Sequence, residues 1–135
     1  MATFTKVNTF TLNLMNGVHD LNDDTLKLAL TNSAPSATDT DLSDITEITA
    51  ENGYSSGGNT LTASTSQTTG TATLAITDLV ITASGGSFGP FRYAVVYNDT
   101  AASNEIIGYV DYGASITVLD TETFTADFAA GSIVI

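Results

Sequence analysis

The side chains able to do chemistry are few, and they are scattered. There is one histidine, His19, and there are no cysteines. Thiol nucleophiles, disulfide frameworks and cysteine zinc sites are therefore excluded, and cysteine usage leaves the redox compartment open. His19 has no serine in a recognisable nucleophile setting beside it, so a structural or solvent-facing role is expected. Asp20, Asn22 and Asp24 have the spacing that opens a calcium loop, but Thr25 and Thr31 stand where such a loop needs a glycine turn and a glutamate. A turn leading into a strand fits better, and the same holds for Asp39, Asp41 and Asp44. Gly85-Gly-Ser-Phe-Gly89 has the glycine content of a phosphate cradle without its lysine or helix, and Pro90 starts a strand instead. Asn98-Asp99-Thr100 matches a glycosylation triplet, a pattern frequent by chance. Arg92, the lone arginine, has two readings: an ion pair inside the subunit, or an interface anchor beside Phe88 and Tyr93. No catalytic residue, cofactor site or metal site is assigned.

These residues must be positioned by strands. The chain has 135 residues, enough for one domain with its own core, and only 13% are charged, about half the usual share. Threonine, serine and asparagine fill the polar positions, and β-branched threonine suits a pleated surface. The organising stretch is Ala83–Thr100, where a glycine-rich corner and Pro90 launch the most aromatic strand. Phe91, Tyr93, Val95 and Tyr97 alternate with Arg92, Ala94, Val96 and Asn98, so both faces carry apolar residues and the strand is expected to be central.

Thr25–Thr31 reads as a strand with Leu26, Leu28 and Leu30 on one face. Asp41 or Ser43 caps a single helical turn, and Glu51–Asn59 reads as a flexible surface connector. Further strands are expected at Thr60–Ser66, Thr71–Thr77, Leu79–Ala83, Phe91–Asn98, Glu105–Tyr112, Ser115–Leu119, Glu122–Phe128 and Ser132–Ile135. Turn signals separate them, among them Thr69-Gly70, Asp111-Tyr-Gly113 and Ala130-Gly131. The N-terminal residues 1–20 form an arm or helix: Phe4, Val7, Phe10 or Thr11, and Leu14 with Met15 recur at helix spacing, favouring a helix over Phe4–Asn16 stopped by Gly17, while Phe10, Leu12 and Leu14 also alternate as in a strand. The expected fold is mainly β, a sandwich or jelly roll of about eight or nine strands with a short N-terminal helix, forming a single domain over residues 1–135.

Fifteen acidic residues against three basic ones give a formal charge of −12. Such a field repels nucleic acid and anionic membrane surfaces, so neither is expected as a partner. No basic start followed by an apolar block marks a secretory signal, and no apolar run reaches membrane-spanning length.

Met1-Ala-Thr-Phe-Thr-Lys-Val-Asn8, Asn16-Gly-Val-His19, Asp24-Thr-Leu-Lys27 and Ala29-Leu-Thr-Asn32 resemble the start of small virion proteins of tailed bacteriophages. Thr82–Ser87, Gly89–Val95, Tyr97–Thr100, Asp111–Gly113 and Glu122–Thr125 continue the resemblance over nearly the whole chain. By size and inferred fold the chain is most similar to jelly-roll capsid cement (decoration) proteins. That resemblance implies a non-enzymatic protein on the outer surface of the capsid, a homo-oligomer (dimer or trimer) bound to the major capsid protein. Thr9-Phe-Thr-Leu-Asn13 departs from it, being more strand-like than the helix the family implies. Phe4, Val7, Phe10, Phe88, Arg92 and Tyr93 form the expected partner-contact set, so deleting residues 1–10 is expected to abolish capsid binding and leave the sandwich folded. Two rivals remain: a tail- or fibre-associated carbohydrate-binding module using Tyr54, Tyr109 and Tyr112, and a small hydrolase with paired carboxylates.

Overall fold

The computed structural model describes residues 4–128 and 133–134. In chain order these form β1 (Phe4–Lys6), α1 (Phe10–Met15), β2 (Leu26–Thr31), a 3₁₀ turn (Leu42–Asp44), β3 (Asn59–Thr60), β4 (Ala63–Thr68), β5 (Thr71–Ile76), β6 (Leu79–Thr82), β7 (Phe88–Asn98), β8 (Ile106–Val118), β9 (Thr123–Ala126) and β10 (Ile133–Val134). They assemble into a five-stranded sheet ordered β1-β8-β7-β2-β3, a three-stranded sheet β10-β5-β4 and the ribbon β6-β9. The molecule is mainly β and sandwich-like with one short helix, the class expected from the strand spacing.

β7 is the middle strand of the main sheet, antiparallel to β2 (Leu28↔Val96) and to β8 (Val95↔Tyr109). Ala94 through Asn98 are all buried, which is why both parities of this strand are apolar. Aromatic rings tie it to its surroundings. Phe88 stacks on Phe91 at 6.1 Å and on Tyr54 at 6.3 Å, while Phe124 of β9 meets Phe91 edge-on at 4.8 Å and Tyr112 at 5.3 Å. Each such pair adds about 0.5–1.5 kcal/mol beyond its buried area.

Four expectations need correction. The N-terminal helix is shorter than Phe4–Asn16, because Phe4–Lys6 pairs with β8 as an edge strand (Phe4↔Val110). Gly108 makes that pairing fit: a Cβ there would lie 2.5 Å from the Phe4 ring. The helix then ends as anticipated, with Gly17 at φ +78° and the Gly17 and Val18 amides donating to the Leu14 and Asn13 carbonyls. Asp111-Tyr-Gly113 is a bend within one long strand and not a turn between two. Asp111 accepts from the Gly113 amide (2.7 Å) as a turn residue does, yet pairing with β7 resumes at Phe91↔Ile116, so β8 runs on through a bulge. The expected strand Thr60–Ser66 divides, because buried Leu61 donates its amide to the Leu26 carbonyl and holds β3 in the main sheet before β4 joins the other. Finally, Glu51–Asn59 is anchored and not a loose connector, since Tyr54 is buried in the core. Within the expected strand Ser132–Ile135, Ile133 and Val134 pair with β5; its end residues and the turn expected at Ala130-Gly131 lie outside the described residues.

Candidate functional site

The six residues expected to contact a partner are not one surface. Val7, Phe10 and Phe88 are fully enclosed by the chain's own core, so in this fold they face no partner. The helix spacing that singled them out reports the packed side of the N-terminal segment. Phe4 is half-buried over Gly108. Arg92 and Tyr93 lie at the surface, half-exposed, where Arg92 Nε and an Nη donate to the two carboxylate oxygens of Asp111 at 2.8 and 3.1 Å. The guanidinium also lies 5.4 Å from the centre of the Tyr93 ring. That bond, with the Gly113 amide, holds the Asp111 carboxyl below its ordinary pKa and raises that of Arg92. The intramolecular reading of Arg92 is the one its geometry fits.

The apolar side chains that do reach solvent on the N-terminal segment are others. Leu12 is 56% exposed and Met15 79%, one turn apart on α1 and away from the side that Phe10 packs into the core. Leu14 of the same helix lines a groove of about 200 Å³ with Leu21, Thr65 and Ser66 of β4 and Ala72 and Thr73 of β5. The apolar series through Phe4, Val7, Phe10 and Leu14 picked out the side of this segment that packs inward, whereas Leu12 and Met15 lie off that side.

His19 and Asn98 form a second assembly. Asn98 is fully buried at the end of β7; its Oδ1 accepts from the amides of Thr100 (2.9 Å) and Ala101 (3.1 Å), which fixes its Nδ2 as the donor side. Nδ2 donates to Asp24 Oδ2 (2.7 Å) and meets His19 Nδ1 at 2.9 Å. His19 Nδ1 is therefore the acceptor and the ring is neutral, with the proton on Nε2. Burial pushes its pKa down, against the carboxylates of Glu105 and Asp24. The ring packs against Phe10 at 5.6 Å. Asn98 is thereby enclosed, so its glycosylation triplet offers no accessible amide.

A cleft of about 370 Å³ opens beside this network, with Asp20, Asp24 and Glu105 among its walls. Each carboxylate holds local backbone: Asp20 accepts from the Asn22 amide, Asp24 from the Asp20 amide and Glu105 from the Ser103 amide. The turn reading of 20–24 is what the bonds describe. Asp39 and Asp44 act in the same way on the amides of Ser36 and Thr40. Among the described residues no group of three or more His, Cys, Asp or Glu is placed to hold a metal ion, and no helix is long and apolar enough to cross a membrane. The tyrosines of the carbohydrate-binding reading do not form a groove: Tyr54 is internal, its hydroxyl donating to Glu47 (2.5 Å) and accepting from the Leu30 amide (3.0 Å), while Tyr112 packs edge-on against Phe124. Comparison with protein-family models, curated proteins and solved structures finds no match.

Proposed function

We propose that this protein is a non-enzymatic structural component of a tailed-phage particle, a cement or decoration protein that grips the outside of the capsid shell and stabilises it. The observation that carries this reading is the pair Leu12 and Met15, apolar side chains held out to solvent on a helix whose opposite side is fixed in the core. On a chain of formal charge −12 they offer a protein partner an adhesive contact. The segments resembling phage virion proteins support the same reading. A protein that bridges neighbouring subunits of the major capsid protein stabilises the shell by mass action, and its acidic surface gains nothing from packaged nucleic acid.

The test is co-sedimentation of the full chain with capsid shells lacking it. The double variant Leu12→Asp, Met15→Asp should lose at least about tenfold in affinity, which corresponds to about 1.4 kcal/mol. Undiminished binding by the folded variant would overturn the assignment of this surface. Retention of the wild-type protein on a glycan array, with none on shells, would favour the fibre-associated reading.

A further inference from the structure

Residues 52–77 contain no Asp, Glu, Lys, Arg or His, in a chain whose formal charge is −12. β4 and β5 lie inside this run. They form a hairpin closed by Thr69 and Gly70, both at positive φ (48° and 78°), and its register runs from Ala63↔Ile76 to Thr68↔Thr71 without a bulge. Residues 64–72 are all exposed, and Thr65 Oγ1 donates to Asn22 Oδ1 of the 20–24 turn at 3.3 Å on the side that Leu74 occupies. A two-stranded ribbon standing in water is only marginally stable. β5 has β10 on its other flank, but β4 has no second strand neighbour among the described residues. The two-residue loop makes Thr68 and Thr71 a hydrogen-bonded pair, and the Thr77 amide donates to the Thr62 carbonyl in the same phase. Ala63, Thr65 and Gln67 therefore aim their N–H and C=O groups away from β5. The edge they form lacks the charges, prolines and bulges that keep natural edge strands from pairing.

We propose that two copies of this chain pair through β4, antiparallel across a twofold axis at Thr65, fusing the two three-stranded sheets into one. A second copy is the occupant that charge favours: two molecules of formal charge −12 repel overall, whereas β4 and β5 carry no charge to oppose when one edge meets the other. The pairing is self-complementary, as a twofold contact must be. With Thr65 on the axis, Ser64 faces Ser66 of the second copy on the side away from Leu74. This inference does not rest on the proposed capsid role.

Sedimentation velocity and native mass spectrometry of the full chain test it. The wild type should have twice the 14.0 kDa chain mass. Ser64→Asp with Ser66→Asp sets four carboxylates together and should weaken dimerisation at least about tenfold. Ser64→Lys with Ser66→Lys should do the same alone, and an equimolar mixture of the two variants should recover a heterodimer. Circular dichroism at low concentration confirms that each variant is folded. A wild type that stays at the single-chain mass at about 0.1 mM, a trimer, or a dimer indifferent to these charges would overturn the proposal.

Discussion

Asn98 is the residue on which the most local order depends. Its amide group holds the Thr100 and Ala101 backbone, Asp24 and His19 at once, so Asn98→Ala leaves several buried groups unpaired. A loss of about 2–3 kcal/mol is expected, read as a fall in denaturant midpoint. His19 adds a pH dependence whose sign follows from its lowered folded-state pKa. Its contribution is fully present above the ordinary value of 6.5 and is lost as pH falls below it toward the folded value, because the unfolded chain takes up the proton first. Thermal unfolding measured against pH should thus decline more steeply below that value for the wild type than for His19→Gln. Tyr54→Phe, which strands the Leu30 amide and leaves Glu47 only the Gly57 amide, should cost about 1–3 kcal/mol by the same measurement. Composition left His19 a structural or solvent-facing role, and the fold buries it. Composition gave no hint that Asn98 is the hub, because the partners Asp24 and His19 lie far away in sequence and only the β2-β7 pairing brings them together.

At the level of elements, strands with one periodic face were readable and junctions were not. Leu26, Leu28 and Leu30 announced β2, and the dual apolar faces of Phe91–Asn98 announced a central strand. The switch from β1 to α1 within a few residues was hidden, because Phe4, Val7 and Phe10 fit one helical face while serving a strand, a connection and a helix in turn. That correction changes an expected experiment. Deleting residues 1–10 removes β1 together with the buried Val7 and Phe10, so it should unfold the sandwich rather than spare it, visible as loss of the cooperative thermal transition. Two glycines separate backbone geometry from crowding. Gly17→Ala, at φ +78° with open space around it, should cost about 1 kcal/mol. Gly58→Ala, also at positive φ, sets a Cβ 1.9 Å from the Leu28 carbonyl oxygen in β2 and should leave little folded protein in a denaturant titration.

For the whole molecule, fifteen acidic groups against three basic ones mean that the folded state works against its own charge. Raising sodium chloride from about 0.02 M to about 0.5 M should therefore raise the melting temperature, and it should tighten dimerisation as screening relieves the repulsion between copies. Two of the three cations are already engaged, Lys27 with Asp99 at 3.5 Å and Arg92 with Asp111. The excess charge was plain from composition, and the sandwich class from the spacing of strands and turn signals. The uneven distribution of charge becomes meaningful only when the uncharged run proves to be an edge hairpin. That distribution also governs how the protein is digested. Trypsin and acid-specific endoproteases need a charged side chain at the scissile bond, and between Glu51 and Asp78 there is none. The exposed β4-β5 ribbon is thus invisible to both enzyme classes, and only proteases that read uncharged side chains can nick it.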